Sequence, residues 1–477
     1  MEKAIEAGTK PERIGFVSFT KKATTEARER ACAKFNLHEK ALPFFRTLHS
    51  LAFWTLGLSG DRVMSKQNYT DLSKKLGLRV TGDFDMASGA ADGYSKGDRM
   101  LFLENLARIR CCPLVEQWRE TPENLSWHEL ERTQSAFLQY KHANALLDFT
   151  DMLAMFVERD TAPPLDLLLV DEAQDLSRLQ WKMVDLLSRE AGRVIVAADD
   201  DQAIFRWAGA DIEHFIGLKG EVTVLGQSYR VPRAVQEFAF NVLQYIRPDN
   251  RRPKEWTARS EEGLVAHHSS IDHVDFSDGG FLVLARNTYL LSFAEEKLRR
   301  DGFVYEKWGK SSIRKEYLEA IRAWEKLRRK ETIDGTELGS VFRHISAFKN
   351  RAKEVQESEE ISHGEAVRRF NLPTARIWHE VLDAIPLQDR TYIVAALRRK
   401  EKITQAPRIR LSTIHGAKGG EADKVVLFLD VADRSYQYMR DGGMEDEARV
   451  FYVGATRARQ ELHIVRPKTR KFFPIPR

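Results

Sequence analysis

Leu167-Leu-Leu-Val170 runs directly into Asp171-Glu172-Ala173-Gln174-Asp175. A continuous apolar run of this length suits a strand at the centre of a parallel sheet covered on both faces. Two carboxylates at its end then stand at the C-terminal edge of the sheet, where α/β folds bind ligands. One of them can hold Mg²⁺ through water while its neighbour activates a water for attack on a terminal phosphate. The same residues would also serve as an acidic cap on a following helix.

A second run, Val194-Ile-Val-Ala-Ala198, ends in Asp199-Asp200-Asp201-Gln202 and continues through Phe205-Arg206-Trp207. A glutamine at such a strand end can sense a terminal phosphate. Aromatics interleaved with a cation suit stacking on unpaired bases, with a core position for Trp207 as the alternative.

Further short β-branched runs lie at Ile14 to Phe19, Val222 to Leu225, Phe281 to Leu284, Ile409 to Ser412, Val425 to Leu429 and Leu462 to Val465. Helical patterns separate several of them, including Lys21 to Phe35 behind a Thr20 cap and Leu179 to Arg189. This alternation predicts an α/β fold of βαβ units. Strand-poor stretches with Trp, Arg and Glu at helical spacing interrupt it twice, the second containing the charged helix Tyr317 to Lys330. The expected organisation is two parallel-sheet domains, each with a helical insertion. Residues 1–60 and 145–225 form the first around an insertion at 61–144, and residues 226–310 and 400–477 the second around 311–399.

Composition limits the possibilities. A chain of 477 residues is long enough for about three domains. Its formal net charge of +5 excludes a uniformly basic coat protein but permits local basic grooves. With 43% hydrophobic and 30% charged residues, it is not a mostly disordered chain. Three cysteines without zinc spacing provide neither a disulfide framework nor a metal knuckle. No apolar run approaches the about 18 residues needed to span a bilayer. The charged N-terminus is not a signal peptide. A soluble cytoplasmic protein without membrane contact is expected.

Read in order, the chain carries Phe16-Val-Ser-Phe-Thr-Lys-Lys-Ala23, Thr47-Leu-His-Ser50, the Asp-Glu-Ala-Gln and Asp-Asp-Asp-Gln segments, and Gln227-Ser-Tyr-Arg230. Ser412-Thr-Ile-His-Gly-Ala-Lys-Gly-Gly-Glu421 and Phe451-Tyr-Val-Gly-Ala-Thr-Arg-Ala-Arg459 follow. This ordered set resembles the UvrD/Rep family of superfamily-one DNA helicases, from about residue 14 to 465, and is weakest in the two insertions. Asp148-Phe-Thr-Asp-Met-Leu153 resembles the family's return from the first insertion.

The resemblance implies an ATP site between two RecA-like domains. Asp171 would be the Mg²⁺-associated carboxylate, Glu172 the general base and Gln202 the γ-phosphate sensor, with Gln174 among the nucleotide-binding residues. Arg230 and Arg457 would be arginine fingers. Their physical role is general, because fixed guanidinium groups stabilise charge on a transferring phosphoryl group. Tyr229 would stack on adenine and Glu421 would approach the ribose. On the DNA side the resemblance places Phe19, Thr20, His49, Phe205, Arg206 and Trp207 against single-stranded DNA. His415 and Lys418 lie in a segment coupling DNA to nucleotide. The partners so implied are single-stranded DNA and single/double-strand junctions.

One departure is large. Nothing in the 477 residues matches GxxxxGK[ST]. The chain reads as beginning inside the helix that follows such a loop, since Glu2 to Ala7 looks like a helix tail. Truncation at the start is the expectation, with loss of ATP turnover as its competitor. Smaller departures are Ala198 and Gly420, where the family usually has glycine and leucine, and a second insertion that looks short. Three functional readings follow: an ATP-driven 3′–5′ translocase and helicase, a non-catalytic DNA-binding homologue, or a nucleotide-sensing scaffold.

Overall fold

The computed structural model describes residues 1–82, 95–121 and 124–475, apart from the side chains of residues 352 and 353. Parts of the first expected insertion, and the last two residues of the basic tail, lie outside them.

The first sheet comprises β1 (Ile14–Ser18), β2 (Phe45–Thr47), β3 (Leu165–Asp171) and β4 (Ala191–Val196), in the order β2-β1-β3-β4 and parallel throughout. Its register decides where the chemistry goes. Ser18 pairs with both Thr47 and Asp171, and Val170 with Val196. The residues that follow each strand therefore share one edge: Phe19 and Thr20 after β1, His49 after β2, Glu172 after β3 and Asp199 to Gln202 after β4. Thr20 caps the helix Lys21–Phe35, its Oγ1 accepting from Ala23 N.

The second sheet takes β5 (Leu264–His268), β6 (Phe281–Ala285), β7 (Tyr305–Lys307), β8 (Lys310–Ser311), β11 (Ile409–Thr413), β12 (Ala422–Phe428) and β13 (Ala458–Val465). Its order is β5-β13-β12-β6-β11-β7-β8, with only β7 and β8 antiparallel. Two short strands, β9 (Ile333–Asp334) and β10 (Glu360–Ile361), form a small antiparallel ribbon inside the second helical stretch. Every side chain of β6 is buried. Phe281, Val283 and Ala285 enter one core while Leu282 and Leu284 enter another, as expected for a strand covered on both faces. Ala422 and Ala458 are register partners, so Glu421 and Arg457, just before them, lie side by side.

Helices fill both insertions, as expected: Lys66–Leu76, Lys96–Arg110, Leu114–Arg119 and Trp127–Ala143 in the first, and Lys315–Arg328, Gly335–Arg343, His363–Phe370, Trp378–Val381 and Leu387–Arg398 in the second. Asp148 opens the returning helix Phe149–Arg159 by a capping box with Asp151. Arg108 and Lys141 clamp both carboxylates. Among the described residues no helix is long and apolar enough to cross a membrane.

One expected strand is corrected. Val222 to Leu225 forms no strand, and Val222 and Leu225 are 62% and 88% exposed. β-Branched composition favours a pleated surface only where a neighbour pairs with it and covers it, and neither sheet does so here. The strand expected at Val194 to Ala198 lies earlier, at Ala191–Val196.

Candidate functional site

Glu172, immediately after β3, has φ 53° and ψ 39°. A non-glycine residue there costs on the order of 1–3 kcal/mol, and such strain clusters at functional sites. Gln174 fixes the side chain, its Nε2 donating to Glu172 Oε2 at 2.6 Å while its Oε1 accepts from Asp199 N at 3.1 Å. The ends of β3 and β4 are thereby tied together. Burial, then the adjacent Glu172 charge, pushes the Asp171 carboxyl up, and Ser18 Oγ approaches Asp171 Oδ2 at 3.4 Å.

The second sheet reaches into this edge. Arg457 is 2% exposed. It donates through Nε to Val453 O, through Nη1 to Gly420 O, and through Nη2 to Gln202 Oε1 at 3.0 Å. Burial, reinforced by the like charge of Arg230, brings its guanidinium down to about 9. Arg230 is lowered as well, chiefly by burial, and its buried Nε has no hydrogen-bond partner. Two guanidinium groups that disfavour each other beside an orphaned donor describe a place for an anion. Tyr229 is 86% exposed, its ring open to stacking. Glu421 is held by Arg459 Nη1 at 2.9 Å.

Lys418 forms a second crossing. Its Nζ donates to Asp175 Oδ2 and to Gln202 O at 2.7 Å, and lies 3.9 Å from Glu172 Oε2. Asp175 is buried, and burial pushes it up to about 6 against the opposing pull of Lys418. His415 is buried nearby with Nε2 3.2 Å from Ile204 O. Burial holds its imidazole well below the ordinary range, with the charge of Arg286 adding to the effect.

The aromatic segment differs from the expected open platform. Phe205 is buried, stacked on Phe19 at 5.7 Å and edge-on to His415. It belongs to the core shared with the second sheet, so Phe205 and His415 present no free face to a base. Arg206 is occupied by Glu213 and Asp446. Trp207 stays partly exposed, stacked on Phe102 at 5.9 Å, with a buried, partnerless Nε1. His49 packs edge-on to Phe149, and burial brings it down to about 4, a neutral ring. Phe19, Phe205 and Trp207 follow strands of the first sheet, where Phe205 stacks on Phe19 and both Phe205 and Trp207 meet His415, which follows β11 of the second sheet.

Nucleotide and metal fit these residues in part. The paired arginines, the Asp171-Glu172 strand end and exposed Tyr229 match phosphate, metal and base respectively. Among the described residues no three His, Cys, Asp or Glu side chains converge as a metal cage. Mg²⁺ is commonly held by one or two carboxylates plus substrate phosphates, so Asp171 is the residue that would hold it here. Sequence reasoning missed Arg251 and Lys254, which neutralise Asp199 to Asp201. The signal was there: three consecutive aspartates at a buried strand end require cations from elsewhere.

Two parallel sheets meeting across a strand-end Asp-Glu pair, with arginines supplied by the second, define the class of proteins built on two RecA-like domains. Residues 1–223 match the UvrD/REP helicase N-terminal domain and residues 211–469 the UvrD-like helicase C-terminal domain. The chain belongs to the UvrD-like helicase family. It is 23% identical to the ATP-dependent DNA helicase PcrA of Bacillus subtilis, across 69% of this chain and 60% of that protein. It is 22% identical to the ATP-dependent DNA helicase srs2 of Schizosaccharomyces pombe, across 94% and 65%. The PcrA of Leuconostoc citreum matches at 23% across 54% and 36%. The chain thus spans between 36% and 65% of the length of these relatives.

Proposed function

We propose that this chain is the motor part of an ATP-dependent DNA helicase that translocates 3′ to 5′ along single-stranded DNA in the cytoplasm, opening single/double-strand junctions. The observation that carries the proposal is Arg457, delivered from the start of β13 to Gln202, with Arg230 facing Glu172 and Asp199 beside it. Bound ATP, with Mg²⁺ at Asp171, supplies the phosphoryl group whose transfer drives the motor. Glu172, oriented by Gln174, accepts the proton of the attacking water. Gln202 reads the terminal phosphate, and Arg230 and Arg457 stabilise the charge that develops on it. Tyr229 offers its open face to the base, and Glu421 would meet the ribose on exchanging its bond to Arg459.

Hydrolysis reaches DNA through the contacts that cross between the sheets. Arg457 to Gln202, Lys418 to Asp175 and His415 to Ile204 O all bridge them. Loss of the terminal phosphate removes the anion between the arginines and frees the sheets to shift. The segment that moves carries Phe205 and Trp207, next to Phe19 and Thr20 at the mouth of the groove, with His49 further along the same edge. Partly exposed Trp207 is the residue best placed to stack on a base.

DNA-stimulated ATP hydrolysis tests the proposal. The 477-residue chain contains no GxxxxGK[ST] loop, so slow turnover is expected from it alone, because positioning supplies most phosphoryl-transfer catalysis. Joining a strand–GxxxxGK[ST]–helix segment upstream of Met1 should give DNA-dependent turnover that Glu172→Gln abolishes. DNA binding without turnover in that extended chain would favour the non-hydrolysing reading.

A further inference from the structure

The Asp199 to Asp201 run stands on the edge of the first sheet, but a segment outside both sheets meets its charge. Lys254 Nζ lies 2.7 Å from Asp199 Oδ1 and 3.1 Å from Asp201 Oδ2, and also pairs with Asp200. Arg251 grips Asp201 through Nε and Nη2 at 3.0 and 2.6 Å. Arg252 N donates to Asp200 Oδ2, and its Nη2 to the carbonyls of Phe215, Ile216 and Leu218.

The same segment also holds the helix Met444–Ala455, which leads to Arg457. Arg247 Nε and Asn250 Nδ2 donate to Glu445, and Arg449 bridges Asn250 O and Asp200 O. Residues 247–254 therefore strap the loop carrying Gln202 to the helix Met444–Ala455, two residues before Arg457.

Within the strap, Asp199 is the relay. One oxygen meets Lys254, and the other accepts from Gln202 Nε2 at 2.6 Å, leaving Gln202 Oε1 to accept from Arg457. An amide has a donor end and an acceptor end, and its neighbours decide which way it points. An ionised carboxylate only accepts, so it turns the amide nitrogen towards itself and the oxygen towards Arg457. A protonated Asp199 could also donate, which would leave Arg457 alone to fix the amide.

We propose that Lys254 is a positioning residue for Gln202, acting through Asp199 to fix the amide orientation that presents Oε1 to Arg457. Burial raises the Asp199 carboxyl, and the charge and hydrogen bond of Lys254 more than offset this, so it lies below the usual range. Arg230, Arg457, Tyr452 and Asp201 also face Asp199. The assignment rests on the reading of Gln202 as the phosphate sensor.

The test uses the 477-residue chain and the variants Lys254→Met and Lys254→Arg. Hydrogen exchange at the amides of residues 201–203 and 456–457 should speed up about 10-fold in Lys254→Met and stay within about 2-fold in Lys254→Arg. The second readout is the difference in urea midpoint between wild type and Lys254→Met. With Lys254 present, Asp199 contributes stability above its unfolded pKa; without it, the buried carboxyl rises and its contribution is lost as pH increases through the raised value. The difference should therefore widen as pH rises above the unfolded carboxylate value of about 4, and Lys254→Arg should close it. A difference that stays constant with pH, together with unchanged exchange, would overturn the assignment. In the loop-extended chain, Lys254→Met should lower kcat as Gln202→Ala does while leaving single-stranded DNA affinity unchanged. If Gln202→Ala costs no turnover there, the sensor reading fails, and exchange and pH dependence still decide the strap.

Discussion

Arg457 Nη2 donates to Gln202 Oε1 at 3.0 Å, joining residues 255 positions apart across the two sheets. The remaining partners of Arg457 are oxygens of Val453, Gly420 and Thr456, none of them charged. A buried guanidinium hydrogen-bonded only to neutral acceptors and facing Arg230, with the Glu172 and Asp199 carboxylates offsetting part of its burial, is a cost to the fold that a bound anion would relieve. The function proposed above supplies that anion.

Arg457→Met should accordingly separate stability from activity. The melting temperature should stay level or rise, because an apolar side chain of similar length replaces a buried guanidinium whose hydrogen-bond partners are all neutral. Turnover in the loop-extended chain should fall by about 10³-fold or more. Calorimetry and a coupled ATPase assay on one preparation read both.

Asp175 predicts a pH dependence. Its folded carboxyl, pushed up to about 6, lies above the ordinary unfolded value. A group of this kind contributes stability at pH below its unfolded pKa and loses it as pH rises through the folded one. Unfolding free energy should thus decline between about pH 4 and about pH 6, and Asp175→Asn should flatten that decline. Urea titrations across the window measure it.

Trp207 tests the DNA side. Base–aromatic stacking is worth about 1–3 kcal/mol, so Trp207→Ala should weaken single-stranded DNA binding about 5- to 150-fold without changing base preference. The ring also stacks on Phe102, so the melting temperature should fall in the same variant. Trp207→Phe should recover most of the stability. Fluorescence anisotropy and calorimetry follow the two effects, and a destabilised protein with unchanged affinity would remove Trp207 from the DNA path.

Arg286 and Glu447 form a buried bidentate pair at 2.7 and 2.8 Å, tying the end of β6 to the helix Met444–Ala455. Arg286→Met leaves Glu447 charged in the core and should destabilise the fold by about 3–5 kcal/mol. Chemical denaturation checks this.

Much of this was legible in the sequence because it is local. The run Leu167 to Val170 announces β3, the Thr20 cap announces the helix Lys21–Phe35, and the acidic strand end announces its own edge. What was not legible depends on partners. Val222 to Leu225 has strand composition but no neighbour to pair with. Phe205 and His415 have residue types suited to nucleic acid, yet each fills the seam between the sheets. Lys254 sits in no periodic pattern, and only the three-dimensional path of residues 247–254 brings it to Asp199. Hydrophobic period records which face is buried, whereas ion pairs across half a domain leave no period to read.

In the function proposed above, the second sheet completes a nucleotide site on the first. The most direct test is DNA-stimulated ATP turnover by the chain extended with a strand–GxxxxGK[ST]–helix segment, compared with its Arg230→Ala and Arg457→Ala variants. Each substitution should lower kcat by about 10³-fold or more, with single-stranded DNA affinity within about 2-fold of the parent. Near-parental turnover in both variants would contradict the proposed function.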